Sequence, residues 1–148
     1  MRLKILPPGL FLMFMVVMIG SHYILPIEKF ILRPYSYVGV VLVLSGLVFV
    51  VWPDAIFKKS KTTIKPYEDP AKLITVGPFR VSRHPTYLGM VGVLLGAAVV
   101  LGSVTPFVFP FLFAIVVDTF YIRFEEKRLE AMFGEQYRQY RQKVRRWV

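Results

Sequence analysis

The chain has 148 residues, of which 55% are hydrophobic, 16% aromatic and only 19% charged. Soluble domains are about 45–50% apolar and about 25% charged, so this composition excludes a disordered chain and favours an integral membrane protein. The lack of cysteine excludes disulfides and zinc–thiolate sites, and two histidines are too few for a histidine-built metal cage. The net charge of +10 favours loops at an anionic membrane surface over nucleic acid binding.

Four apolar runs of 17 to 19 residues predict membrane-spanning helices, because a spanning helix needs about 17–25 residues. The runs are Gly9–Leu25, Tyr35–Trp52, Thr86–Gly102 and Val104–Ile122. Pro106 and Pro110 predict an irregular start of the fourth helix. The predicted fold is therefore an all-α integral membrane protein with four transmembrane helices, a helix 3–helix 4 hairpin and an amphipathic C-terminal helical segment.

The sequence predicts one membrane domain, residues 1–148, built from four consecutive parts. The parts are two N-terminal transmembrane helices (1–52), a cytoplasmic loop (53–85), the helical hairpin (86–122) and a cytoplasmic C-terminal helical segment (123–148). Of the 19 Lys and Arg residues, 17 fall on one side of this arrangement. The positive-inside rule therefore predicts that both termini and the long loop are cytoplasmic. In a prokaryote, the membrane would be the plasma (inner) membrane.

Glycines mark two structural features. Gly89, Gly92 and Gly96 form a stripe of small residues on the third helix, which lets a neighbouring helix approach closely. Helix packing and a direct ligand contact both remain open for this stripe, and they are compatible. Gly134 interrupts the amphipathic C-terminal segment, so we expect one helix to end there and another to begin at Glu135.

Two polar clusters are expected to meet at the cytoplasmic ends of the third and fourth helices, because the connection between these helices is too short for anything but an antiparallel pair. The clusters comprise Arg80, Arg83, His84 and Tyr87 on one helix end, and Asp118, Tyr121, Arg123, Glu125 and Glu126 on the other. Ordinary structural roles remain open for most of these residues: snorkelling arginines, a helix-capping histidine, solvated ion pairs and interfacial tyrosines. Asp118 is the exception, since a carboxylate one turn inside a membrane helix is costly without a partner.

The first cluster and the two glutamates of the second also belong to a two-part motif that resembles the signature of the isoprenylcysteine carboxyl methyltransferase and phospholipid methyltransferase superfamily. Its first part is Gly77-Pro78-Phe79-Arg80-x-x-Arg83-His84-Pro85-x-Tyr87-x-Gly89. Its second part is Glu125-Glu126-x-x-Leu129-x-x-x-Phe133-Gly134-x-x-Tyr137-x-x-Tyr140. The chain resembles the short, four-span prokaryotic form of that superfamily. The resemblance implies a membrane methyltransferase that uses S-adenosyl-L-methionine, bound between the loop before the third helix and the Glu-Glu helix.

The resemblance also implies the site residues. The expected cofactor-binding residues are Leu73, Ile74, Phe79, His84, Pro85, Thr86, Tyr87 and Glu125. The candidate catalytic residues are Arg83, Arg123 and Glu126, and no metal is expected. An arginine would fix a carboxylate acceptor, which is already ionised, whereas an amine acceptor would need a base such as His84 or Glu126.

The expected acceptor is lipid-like, and O-methylation of an isoprenylcysteine α-carboxylate is favoured. Two alternatives remain open: N-methylation of a phospholipid amine, and a small membrane protein without enzymatic activity. The expected partners are the lipid bilayer and a membrane lipid or prenylated acceptor, with no nucleic acid. The sequence leaves open whether the chain forms a homodimer.

Overall fold

A computed structural model describes residues 5–25, 31, 34–60 and 72–148, and this part of the chain is helical with no β-strand element. The α-helices are α1 (Pro7–Ile24), α2 (Ser36–Lys59), α3 (Pro85–Leu101), α4 (Val108–Val117), α5 (Arg123–Phe133) and α6 (Glu135–Lys143). Short 3₁₀ turns cover Gly77–Arg80 and Thr105–Phe107, and a π-helical turn covers Asp118–Ile122. Six of the basic residues used to predict the orientation lie outside the described residues: Arg2, Lys4, Lys29, Arg33, Lys61 and Lys65.

Within the part of the chain that the structure describes, three helical stretches are long and apolar enough to cross a bilayer. They are Pro7–Ile24, Ser36–Lys59 and Thr105–Phe133, while the apolar helix α3 is shorter, with 17 residues. The predicted all-α membrane architecture is confirmed at this level.

Two predicted helix ends are wrong. Helix α2 does not stop at Trp52 but continues through the buried Pro53 to Lys59. Membrane helices tolerate internal proline because neighbouring groups satisfy the freed carbonyls. The fourth helix likewise passes Ile122 and runs through the π-helical turn into α5 without a break.

Two other expectations about the helices are confirmed. The fourth helix begins irregularly, as a 3₁₀ turn around Pro106, and Gly134, with φ of 50°, separates α5 from α6.

Helices α2 and α3 pack against each other through paired glycines. A Cβ placed on Gly46 would lie 2.7 Å from the carbonyl oxygen of Gly89, and one on Gly96 would lie 2.6 Å from that of Gly39. The paired positions are seven residues apart on both helices, as an antiparallel contact requires. The small-residue stripe therefore packs against α2, and it fixes the start of α3 against that helix.

The main hydrophobic core joins α1, α3 and α4 on the other side of α3. Its buried members include Leu10, Met18, Met90, Leu94, Ala98, Phe113 and Val117. Trp147, near the end of the chain, packs against the same core. The last residues therefore fold back onto the bundle.

The returning C-terminal residues bind the segment that precedes α3. The backbone N–H of Arg83 donates to the carbonyl oxygen of Arg145 at 3.1 Å. The Ser82 hydroxyl donates to the carbonyl oxygen of Arg146 at 3.0 Å and accepts from the backbone N–H of His84 at 3.1 Å. The end of the chain thus holds Arg83 and His84 in place just before the N-terminus of α3.

Candidate functional site

A cavity of about 330 Å³ opens between the start of α3 and the first half of α5, beside the start of α1 and the segment that begins at Lys72. This volume lies within the range of about 300–1,000 Å³ that is usual for small-molecule sites. All eight expected cofactor-binding residues line the cavity: Leu73, Ile74, Phe79, His84, Pro85, Thr86, Tyr87 and Glu125. The expected cofactor-binding residues are thus brought to one cavity.

One wall of the cavity is organised around Glu125. The Tyr87 hydroxyl donates to Glu125 Oε1 at 2.6 Å, and His84 Nδ1 lies 3.4 Å from Glu125 Oε2. Glu125 comes from α5, whereas the other two residues come from the start of α3, so the contact joins the two parts of the motif. The carboxylate keeps acceptor capacity toward the cavity, where it can receive hydrogen bonds from ligand hydroxyl or ammonium groups.

Behind that wall, Glu126 is held by two arginines and does not line the cavity. Its Oε1 lies 2.9 Å from Arg83 Nη2, and its Oε2 accepts from Arg146 Nη2 at 2.6 Å. Arg146 also donates from Nη1 to Asp118 Oδ1 at 3.2 Å, which supplies the partner that Asp118 requires at its position in the helix. The role predicted for Glu126 as a base thus falls on a carboxylate engaged in ion pairs.

The two candidate arginines have different environments. Arg83 lines the cavity with a side chain only 7% exposed, and its Nε and Nη1 have no hydrogen-bond partner among the described residues. Arg123 has a side chain 63% exposed, contacts Asp118 Oδ2 at 3.4 Å and does not line the cavity. Of the two, only Arg83 lines the cavity.

Sequence reasoning did not select three residues that shape this site. Arg146 neutralises Glu126 and Asp118, and nothing in its sequence context indicates that the end of the chain returns to α5. Tyr137 and Tyr140 line the cavity from α6, and the Tyr140 hydroxyl donates to the carbonyl oxygen of Phe79 at 2.7 Å. Both tyrosines belong to the second motif, and their spacing of three residues on one helix face was the signal that could have identified them.

The electrostatic environment favours a protonated His84. Burial lowers the pKa of His84, but its hydrogen bonds to Glu125 and Glu126 and the charges of both carboxylates outweigh this effect and raise the pKa above 6.5. Arg83 and Arg146 face the same group of charges through Glu126. The His84 ring therefore lies between the two carboxylates, 3.4 Å from Glu125 Oε2 on the cavity wall and 3.4 Å from Glu126 Oε1 behind it.

This environment predicts a pH-dependent contribution of His84 to stability. Because its pKa is raised in the folded protein, the contribution is fully present below pH 6.5 and is lost as the pH rises through the raised pKa. We expect the melting temperature of the wild type to exceed that of a His84→Asn variant most at about pH 6, with the difference shrinking toward about pH 9. Thermal melts in detergent across this range measure the difference, and one that grows with pH contradicts the assignment.

Comparison with known proteins identifies relatives of this chain. A sequence profile described as phospholipid methyltransferase matches residues 34–136. An uncharacterized protein of Haemophilus influenzae is 40% identical over 62 residues, which cover 42% of this chain and 98% of that protein. A probable protein-S-isoprenylcysteine O-methyltransferase of Oryza sativa subsp. indica is 37% identical over 114 residues, which cover 74% of this chain and 58% of that protein.

The fold is also similar to that of a solved structure, the eukaryotic intramembrane Ras methyltransferase, an isoprenylcysteine carboxyl methyltransferase. The TM-score is 0.69 at 22% sequence identity, and the match covers 93% of this chain and 50% of that chain. This chain thus spans half of that structure and 58% of the rice relative. Because the family profile covers most of the chain, including most of both motif segments, the chain belongs to the phospholipid methyltransferase family.

Proposed function

We propose that the chain is an S-adenosyl-L-methionine-dependent membrane methyltransferase that methylates the carboxylate of a lipid-like acceptor, with an isoprenylcysteine α-carboxylate as the favoured acceptor. The observation that carries this proposal is Arg83, a buried cation that lines the cavity and has unpaired N–H groups. The rice relative, whose name includes protein-S-isoprenylcysteine O-methyltransferase, supports the same acceptor.

The cavity residues fit the proposed cofactor. S-adenosyl-L-methionine supplies an electrophilic methyl group on a sulfonium, and it carries a ribose diol and an ammonium as hydrogen-bond donors. Glu125 would accept from those donors, while the Tyr87 ring would lie near the positive charge, where cation–π attraction is worth about 0.5–2 kcal/mol. Pro85, Thr86 and the segment at Leu73 would enclose the rest of the cofactor.

The acceptor side requires little acid–base chemistry. A carboxylate is ionised near neutral pH, so the protein needs only to hold it in a productive position. Arg83 would neutralise and orient the carboxylate. Phe57 and Met90, together with the prolines at the start of α1, add apolar surface to the cavity, which suits a hydrophobic chain on the acceptor.

Membrane placement completes the proposal. Four spans would cross the bilayer, with α3 and α4 as a hairpin, and residues 53–85 and 123–148 would lie on the cytoplasmic side with both termini. The excess of Lys and Arg in these segments supports this orientation. In a prokaryotic cell, the plasma (inner) membrane would then present the site to cytoplasmic S-adenosyl-L-methionine.

Transfer of a radiolabelled methyl group tests the proposed function. Membranes containing the protein are incubated with labelled S-adenosyl-L-methionine, and the label is followed in separate lipid and protein fractions. A carboxyl methyl ester releases its label in alkali, whereas a methylated amine retains it. We expect alkali-labile label. Alkali-stable label in lipid would instead indicate N-methylation of a phospholipid amine, and no transfer of label would contradict methyltransferase activity.

Binding of S-adenosylhomocysteine gives a second prediction. Glu125→Gln is expected to weaken its affinity about 10- to 100-fold, because a hydrogen bond to a charged group contributes about 1.5–3 kcal/mol. Glu130→Gln is the matched control, since Glu130 lies on the same helix, pairs with Arg141 at 3.5 Å and does not line the cavity. Isothermal titration of both variants measures the effect, and equal affinities would remove Glu125 from the proposed cofactor site.

A further inference from the structure

Tyr137 carries a buried hydroxyl that nothing in the described part of the chain satisfies. Its side chain lines the cavity, the residue is only 1% exposed, and the hydroxyl has no hydrogen-bond partner among the described residues. Nε and Nη1 of Arg83 are in the same situation on the same cavity. His84 Nε2, which lies 3.4 Å from Glu126 Oε1, is a fourth such atom on the cavity. Buried polar groups in native proteins are paired in the great majority of cases, so the unpaired donors of Tyr137 and Arg83 indicate a missing acceptor.

Two neighbouring polar groups are already engaged. Tyr140, one turn further along α6, uses its hydroxyl to donate to the backbone of Phe79. Nη2 of Arg83 is occupied by Glu126, which also binds Arg146. Within the described residues, Nε and Nη1 of Arg83 and the Tyr137 hydroxyl are therefore left without a partner after the internal contacts of the site have formed.

The unpaired groups of Arg83 and Tyr137 can all act as hydrogen-bond donors. The Arg83 guanidinium has only N–H donors and a positive charge. Burial raises the pKa of the Tyr137 hydroxyl to about 12, and the negative charge of Glu126 adds to this effect, so the hydroxyl keeps its proton at neutral pH and can donate. The charge of Arg83 acts on the pKa of Tyr137 in the opposite direction, and both side chains line the same cavity. An anion with several acceptor oxygens would pair with both donors and would neutralise the Arg83 charge.

We propose that the Tyr137 hydroxyl and the Nε and Nη1 groups of Arg83 form a carboxylate-binding subsite of the cavity. The subsite rests on the proposed function, which supplies two carboxylates of the same chemistry. One is the carboxylate at the amino acid end of the cofactor, and the other is the carboxylate of the acceptor. Tyr137 would add a neutral donor beside the Arg83 charge, and it would favour a carboxylate over an uncharged amide at that position.

Tyr137→Phe tests the subsite without altering the ion pairs around Glu126. The variant removes only the hydroxyl, so we expect the melting temperature of the ligand-free protein to stay the same or to rise. Tyr140→Phe is the comparison, because it removes a formed hydrogen bond to Phe79 and should lower the melting temperature.

Two ligand pairs distinguish the source of the carboxylate. S-adenosylhomocysteine is compared with 5′-methylthioadenosine, which lacks the amino acid end, and an S-farnesylated N-acetylcysteine is compared with its carboxamide. If Tyr137→Phe lowers the affinity for S-adenosylhomocysteine about 10- to 100-fold and leaves the affinity for 5′-methylthioadenosine unchanged, the subsite binds the cofactor carboxylate. If Tyr137→Phe instead raises the KM for the farnesylated acid by a similar factor and leaves inhibition by the carboxamide unchanged, the subsite binds the acceptor carboxylate.

Tyr137→Phe protein that matches the wild type with all four ligands would overturn the subsite, because the Tyr137 hydroxyl would then make no contact with either carboxylate. Wild-type protein that binds neither carboxylate ligand would contradict the proposed function together with the subsite. Wild-type protein that binds and methylates, with no effect of Tyr137→Phe, would contradict the subsite alone.

Discussion

Glu126→Gln is expected to lower the free energy of unfolding by about 3–5 kcal/mol, because it leaves the buried Arg83 guanidinium without its carboxylate. The two side chains are 7% and 9% exposed, and their charged atoms are 2.9 Å apart. Glutamine preserves the shape of the side chain but not the charge, so the loss measures the cost of an uncompensated buried cation. Thermal or denaturant unfolding in detergent gives the value.

The adjacent Glu125 is the matched comparison. Its side chain is 19% exposed and faces the cavity, where its partners are Tyr87 and His84 and no arginine is paired with it among the described residues. We expect Glu125→Gln to weaken cofactor binding while changing stability far less than Glu126→Gln. Equal stability of the two variants would show that Arg83 does not depend on Glu126.

Arg146 extends this comparison to the end of the chain. It reaches both Glu126 and Asp118, which are eight residues apart. In a regular α-helix, side chains eight residues apart differ in direction by about 80°. The π-helical turn at Asp118–Ile122 takes more residues per turn and reduces that difference, so one guanidinium can bind both carboxylates.

The sequence predicted most of the membrane architecture and the meeting of the two polar clusters. Apolar runs, prolines and basic residues are local signals, and Gly134 marks the end of α5 as expected. The π-helical turn could not be predicted, since nothing in the residues Asp118–Ile122 distinguishes it from an α-helical turn. The same is true of the ion pairs of Arg146, because they depend on where the last residues pack.

The choice between Arg83 and Arg123 also required the structure. Both residues are basic, both lie at the membrane interface in the predicted topology, and spacing alone does not show which one faces a ligand. The 3₁₀ turn at Gly77–Arg80 and the hydrogen bond from Arg83 to the backbone of Arg145 turn the first side chain inward. The second lies on the outer face of α5, where it contacts Asp118.

Gly46→Ala is expected to destabilise the protein by about 1–3 kcal/mol or more, because its Cβ would overpack the contact between α2 and α3. The new atom would lie 2.7 Å from the carbonyl oxygen of Gly89 and 2.8 Å from the backbone nitrogen of Val93. Backbone atoms cannot move aside as a flexible side chain can, so the two helices must separate. Gly89 is the last residue of the first motif, and α3 carries Tyr87, so the separation should also weaken binding of S-adenosylhomocysteine.

Gly20→Ala is the control for that variant. Gly20 lies inside α1, and a Cβ there would meet nothing within 4 Å among the described residues. Alanine is about 1 kcal/mol more favourable than glycine in a helix interior, so this change should preserve or raise the melting temperature. The same substitution is therefore expected to act in opposite directions in two apolar helices, according to whether a neighbouring backbone touches the glycine. A Gly46→Ala protein as stable as the Gly20→Ala protein would show that the close approach of α2 and α3 does not hold the start of α3 in place.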